Sequence, residues 1–317
     1  MYTKVKEKTE AMMKRILRLT AFLLGLTLLL SACGNTANKE LVDASTQTAP
    51  PVEGVTALAL CDGDVTLRFE KDETGAWTWF DDPAFPLDQT ALEDLLALPA
   101  ALDSGETVAD VQELAVYGLE TPKKYITVTS DGVDVVYYLG DQAADGRWYV
   151  LTPAGTVRYT SDENKMLLSR SIYAMAVLPV LPVIEPDRLV SVSLLRADGT
   201  AAVSFYTAED GTRRSANRDV TEKTAALADE IAALTLTACV DYDPAEGAAA
   251  VCGLDTPEVT LTVNYLADNS AERTLILAVG LSTGDGGRYV ALDGDTTIYR
   301  MEGSSLTQIL TLSETGL

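Results

Sequence analysis

Histidine is absent from this chain. Without it there is no Ser-His-Asp or Cys-His nucleophile arrangement and no imidazole to hold a metal. Cysteine is scarce: there are 4 in 317 residues, Cys33, Cys61, Cys239 and Cys252, and none stands at zinc-ligand spacing. No Gly-rich phosphate loop and no EF-hand pattern occurs. The glycines within 284–287 fall between expected strands, where a hairpin loop accounts for them. Basic side chains are few, 24 against 47 acidic ones, a balance that repels nucleic acid and anionic headgroups. Aromatic residues make up 7%. Trp77, Trp79, Tyr137, Tyr138, Trp148 and Tyr149 gather in the first half, where a sheet core is expected to absorb them.

What the chain does have begins with an address. Lys14, Arg15 and Arg18 precede an apolar run, Leu19–Leu30, too short to span a bilayer comfortably. The run ends Leu30-Ser31-Ala32-Cys33-Gly34, which resembles the lipobox of bacterial lipoproteins. That resemblance implies a signal peptide over residues 1–32 and Cys33 as the lipidated first residue of the mature protein. Two acyl chains are enough for stable anchoring where one is marginal. Residues 1–32 hold six of the basic residues and two of the acidic ones, leaving 18 against 45, a net of −27. Residues 33–54, rich in Asn, Thr, Ala, Ser, Gln and Pro, read as a flexible tether.

The rest of the chain, long enough for about two domains, uses one string twice: Tyr117-Gly118-Leu119-Glu120-Thr121-Pro122 and Cys252-Gly253-Leu254-Asp255-Thr256-Pro257. Gly118 and Gly253 follow a periodic stretch, where a helical turn commonly ends on a left-handed residue. Pro122 and Pro257 then forbid helix and push the preceding threonine toward an extended conformation. Beyond each proline the period becomes two: Ile126 and Val128 alternate with Tyr125, Thr127 and Thr129, and Val259, Leu261 and Val263 with Thr260 and Thr262. Turn chemistry explains every residue of the string, so a structural role is expected rather than a ligand contact.

Around these joints the same order is expected in two modules, 55–182 and 183–317. Each opens with a hairpin, at Cys61-Asp62-Gly63-Asp64 and Ala197-Asp198-Gly199-Thr200. A helix follows, N-capped by Asp88 in the first module and near Thr221–Leu234 in the second. Next come a short turn, capped by Asp110 in the first module, the repeated string, and four strands. A last helix closes each module, near 162–177 and 304–310. Gly118/Gly253 and Pro122/Pro257 are offset by 135, whereas Gly140/Gly280, Tyr149/Tyr289 and Tyr159/Tyr299 are offset by 140, so an insertion of five residues is expected near Leu266–Ala271. The fold class that follows is α+β: two tandem repeats, each a mainly antiparallel sheet with two main helices.

The hairpin, the Gly-Leu-Glu/Asp-Thr-Pro joint, the strand pair ending in glycine, Arg147-Trp148-Tyr149-Val150 or Arg288-Tyr289-Val290, and Val157-Arg158-Tyr159 or Ile298-Tyr299-Arg300 together resemble domain-of-unknown-function family 4340. The resemblance spans 55–310 as two copies and implies a bacterial envelope lipoprotein. It carries no activity, and the place of some members beside membrane-transport components is an association only. The second copy departs from the pattern, with Arg213 where Trp77 falls and Cys252 where Tyr117 falls.

Three carboxylate pairs, Asp62/Asp64, Asp241/Asp243 and Asp293/Asp295, have calcium-like chemistry, but each lies in or near a turn and lacks further oxygen ligands at set spacing. Three cysteines beyond Cys33 rule out a full disulfide framework. Cys239 and Cys252 either close the loop 241–251 or remain free as small apolar residues. No catalytic, metal or cofactor site is expected. The expected function is a non-enzymatic scaffold or binding module of the bacterial envelope, anchored in the membrane through Cys33, with an envelope protein or transporter as partner. The alternatives are a solute-binding lipoprotein of a transporter and a carboxylate-dependent cell-wall hydrolase.

Overall fold

A computed structural model of the chain describes residues 49–317. Cys33, the signal segment 1–32 and residues 33–48 of the tether lie outside the described residues. Two antiparallel sheets make up the fold. The first contains β1 (Val55–Asp62), β2 (Val65–Lys71), β3 (Trp77–Trp79), β4 (Lys124–Ser130), β5 (Val133–Gln142), β6 (Trp148–Leu151) and β7 (Val157–Thr160), in the order β3-β2-β1-β4-β5-β6-β7.

The second contains β8 (Leu189–Arg196), β9 (Ala201–Thr207), β10 (Arg213–Ser215), β11 (Arg218–Asp219), β12 (Ala238–Asp241), β13 (Val259–Leu266), β14 (Glu272–Ser282), β15 (Gly287–Leu292) and β16 (Ile298–Glu302). Its order is β11-β10-β9-β8-β13-β14-β15-β16-β12. Strip off β11 and β12 and the two orders coincide strand for strand. The extra length sits where the offsets place it. Asp131-Gly132 joins β4 to β5 directly, whereas five residues, 267–271, join β13 to β14.

Alternation decides which face of each sheet is buried. Leu58, Leu60, Ile126, Val128, Tyr137, Leu139 and Val150 point to one side of the first sheet. Helix α1 (Gln89–Asp103) lays Leu92, Leu95, Leu98 and Leu102 across them. Asp88 caps α1 by accepting the Thr90 N–H at 2.9 Å. On the second sheet, Val192, Leu194, Val259, Leu261, Val263, Leu277 and Val279 face the second core. They are covered by α3 (Ala225–Ala232) and the C-terminal α5 (Thr307–Thr315). Glu230 of α3 accepts the backbone N–H of Gln308 and Ile309 at 2.9 and 2.8 Å, so one helix caps the next.

Several elements differ from the sequence expectation. The helix expected over 162–177 ends early: α2 spans Asp162–Leu168, capped by Ser161, and a separate single turn covers Tyr173–Met175. The reason is that Ala176 pairs with Leu87 as an isolated bridge and Val177 donates to Pro86 O at 2.7 Å, which draws the chain into an extended path. The helix expected over Thr221–Leu234 shrinks to Ala225–Ala232 because Asp219 takes the Thr221 N–H and Val220 returns to Arg213 O, closing turns first. Asp110 caps nothing. It stands at φ 49, while Glu113 precedes the short turn Leu114–Tyr117. Strands β11 and β12 had no period to announce them, being 2 and 4 residues long.

The tether's last residues are held against the first sheet. Val52–Gly54 forms a single turn, and Ala49 N–H donates to Asp103 Oδ2 at 2.7 Å. The same oxygen accepts the buried Tyr137 hydroxyl at 2.9 Å, and burial pushes that hydroxyl's pKa up.

Candidate functional site

The repeated string builds the same small device in each half. In the first, Leu119 N–H reaches back to Leu114 O at 2.9 Å and Gly118 N–H to Ala115 O at 3.2 Å. In the second, Leu254 N–H reaches Ala249 O at 2.8 Å and Gly253 N–H reaches Ala250 O at 3.0 Å, closing α4 (Ala248–Val251). These are the paired backward bonds of a Schellman end, which need a left-handed residue at the glycine. Gly118 has φ 68 and Gly253 φ 71. Pro122 and Pro257 stand two residues before Lys124 of β4 and Val259 of β13, the first residues paired with β5 and β14.

What seats the turn is a glycine in the facing strand. A side chain on Gly140 of β5 would collide with the Tyr117 carbonyl oxygen, and one on Gly280 of β14 with the Cys252 carbonyl oxygen. Leu281 N–H also donates to Cys252 O at 2.9 Å. The sequence shows the Gly140/Gly280 match but gives no reason for it. The reason is close approach of two backbones, which only a missing Cβ permits. Tyr117 packs edge-on against Tyr149, ring centres 4.9 Å apart, and Tyr149 packs on Tyr159 at 5.3 Å. Arg147 lies over Tyr159 at 3.7 Å and pairs with Glu106 and Asp145, both at 2.7 Å.

The carboxylate pairs do not converge. Asp62 forms an ion pair with Lys124 at 2.8 Å. Asp241 accepts the Tyr173 hydroxyl at 3.0 Å, and Asp295 accepts the Tyr299 hydroxyl at 2.6 Å and the Thr297 N–H at 2.9 Å. Among the described residues no three acidic, cysteine or histidine side chains are grouped to hold a metal. Many aspartates serve turns instead. Asp72, Asp198 and Asp210 each accept both the N–H and the hydroxyl of the threonine two residues on, and those hydroxyl bonds hold their pKa values down. Asp285 is held down further, to about 2, by the Thr283 hydroxyl, the Gly287 N–H and Arg300.

Cys61, Cys239 and Cys252 are free and buried. Burial, with Asp241 and Asp295 nearby, pushes the Cys239 thiol up to about 11, and burial beside Asp241 raises Cys252 as well. Arg213 fills the slot of Trp77, both 8% exposed. Its guanidinium donates to Thr224 O and Pro186 O at 3.2 and 3.3 Å. Among the aromatics, Trp77 and Tyr137 are buried in the core, while Trp79 and Trp148 pack at its edge.

Two features were invisible in the sequence. One is an aromatic joint. Phe85 meets Trp79, Tyr173 and, from the second half, Tyr242, with ring centres 5.5, 6.3 and 5.2 Å apart. The Tyr242 hydroxyl donates to Ala84 O at 3.2 Å. The other is an open groove of about 790 Å³ beside α2, lined by Asp94, Glu163, Met166, Leu167 and Arg170. Asp94 and Arg170 stand 3.6 Å apart across it.

Two like-ordered antiparallel sheets, each seated by a glycine-capped turn, define an α+β duplicated-sheet protein. The sequence pattern of the family described as Domain of unknown function (DUF4340) matches residues 77–246 and, overlapping that stretch, 220–315. The chain belongs to this family. No curated protein and no solved structure matches it.

Proposed function

We propose that the protein is a membrane-anchored, extracytoplasmic lipoprotein that acts as a non-enzymatic scaffold or binding module of the bacterial cell envelope. The observation that carries this reading is where the candidate chemistry goes. The repeated turns seat strands, one carboxylate of each pair is taken up by Lys124, Tyr173 or Tyr299, and the cysteines are buried and free. The two sheets are tied to each other through Tyr242, Tyr173 and Phe85, which favours a rigid body over a cleft that opens and closes. The envelope address rests on the Leu30-Ser31-Ala32-Cys33 pattern and its preceding apolar run. Cys33→Ser tests the address: the variant is expected to remain unprocessed or to leave the membrane fraction. A variant that fractionates with membrane at the mature mass overturns the anchor. A thermal-shift screen of sugars, peptides and metal ions tests the rest, since a ligand that binds the folded state raises the melting temperature. A saturable hit replaces the scaffold reading with a solute-binding one.

A further inference from the structure

The two sheets are joined by Val177-Leu178-Pro179-Val180-Leu181-Pro182-Val183-Ile184, a triplet repeat. Prolines at every third position fix φ and push their neighbours into extended conformations. The backbone at both ends is polyproline II: Ala176 has φ −81 and ψ 137, and Glu185 has φ −58 and ψ 143. That helix has three residues per turn, so each triplet position forms its own edge. Burial follows the same period. Leu178, Leu181 and Ile184 enter the second core. Val177, Val180 and Val183 are 53%, 95% and 71% exposed, and Pro179 is exposed beside them. Among the described residues, no backbone bond is made by 178–184.

We infer that this segment is a docking ridge for a partner protein whose aromatic-lined, basic-rimmed groove receives polyproline II ligands. The rod is anchored along its leucine edge and presents its valine edge and Pro179, with Pro182 half-buried, so the ordering cost that a free peptide meets on binding is already met. At about 3.1 Å per residue the valine row extends for roughly 19 Å. Charge selects the partner. The chain carries a formal −23, and exposed Glu185 and Asp187 close the ridge. The neighbouring Arg188 is paired to Asp268 at 3.0 Å. A groove with basic rim residues complements this, whereas a second copy brings like charge against like.

The test uses the full chain in the cells that make it, with a photo-crosslinking residue at Val180 and, as control, at Val65, which is 60% exposed on the first sheet. An adduct from Val180 and not from Val65, mapped on the partner to a groove lined by aromatic side chains, is the expected result. With that partner purified, Val180→Asp is expected to weaken binding by about tenfold or more. It should leave the melting temperature unchanged, and wild-type affinity should fall as salt rises. The peptide 176–186 is expected to compete. No adduct, equal adducts from both positions, an adduct with a second copy of the chain, or a captured protein that binds Val180→Asp as well as wild type would each overturn the inference.

Discussion

Gly280→Ala isolates the packing role of the repeated joint. Gly280 lies in strand β14 with no left-handed backbone to strain, so a methyl group there adds contact and nothing else. It would collide with the Cys252 carbonyl oxygen and crowd Leu254 Cδ2 at 3.1 Å. The carbonyl belongs to a turn fixed by its own backward bonds, so relief requires moving the whole turn. Overpacking of this kind costs about 1–3 kcal/mol. Loss of the Leu281 N–H to Cys252 O bond adds about 1 kcal/mol, and the lower chain entropy of alanine returns roughly 0.5–1 kcal/mol. The net of about 1–3.5 kcal/mol, in a body of this size, lowers the melting temperature by roughly 2–14 °C.

Gly132→Ala supplies the contrast. It has φ 75 with nothing within 4 Å of the added methyl group, so it carries only the left-handed cost of about 1–2 kcal/mol, or roughly 2–8 °C. Gly253→Ala combines both penalties, having φ 71 and Leu281 Cγ at 2.7 Å, and is expected to fall furthest. Scanning calorimetry on the three variants gives the ranking. If Gly280→Ala and Gly253→Ala are no worse than Gly132→Ala, close backbone approach is not why the joint recurs, and a ligand contact there becomes the better explanation.

Glu230→Ala removes the acceptor for two N–H groups at the start of α5 and is expected to cost about 1–2 kcal/mol in denaturant titration. Burial raises the Glu230 carboxyl, so its titration favours the folded state below its ordinary value of 4.5, and that contribution is lost as pH rises through the folded value. Wild type and Glu230→Gln should therefore diverge across that window, and parallel pH profiles would refute it. The Asp285 carboxyl is expected to titrate near pH 2 by NMR. Its folded value is depressed, so its contribution is present above 3.8 and fades as pH falls through about 2; a midpoint near 3.8 contradicts the Thr283, Gly287 and Arg300 contacts. Tyr242→Ala deletes the edge-on contact with Phe85 and the bond to Ala84 O. It should cost about 2–4 kcal/mol and separate the two halves into distinct calorimetric transitions, whereas one unchanged transition would show that the joint is dispensable. Cys61, Cys239 and Cys252 should resist alkylation at pH 8 in the native state and react after unfolding.

Local chemistry made much of this protein legible from sequence. The period of two after Pro122 and Pro257, the glycine before each, and the turn aspartates act through neighbours within a few residues, so the string alone fixes them. Asp88 was readable as a cap and the five-residue insertion as an offset for the same reason. Where the backbone contacts are distant in sequence, the string was silent. It shows Gly140 and Gly280 but not the carbonyl each accommodates. The early end of α2 is set by Pro86 and Leu87, some ninety residues upstream. Strand β12 forms only because the edge of β16 is there to receive it, and Tyr242 matters only because Phe85 folds beneath it. The boundary between the two modules, 182/183, falls within the Val-Leu-Pro triplets. Only the tertiary structure decides that their leucine edge enters the second core while their valine edge faces solvent.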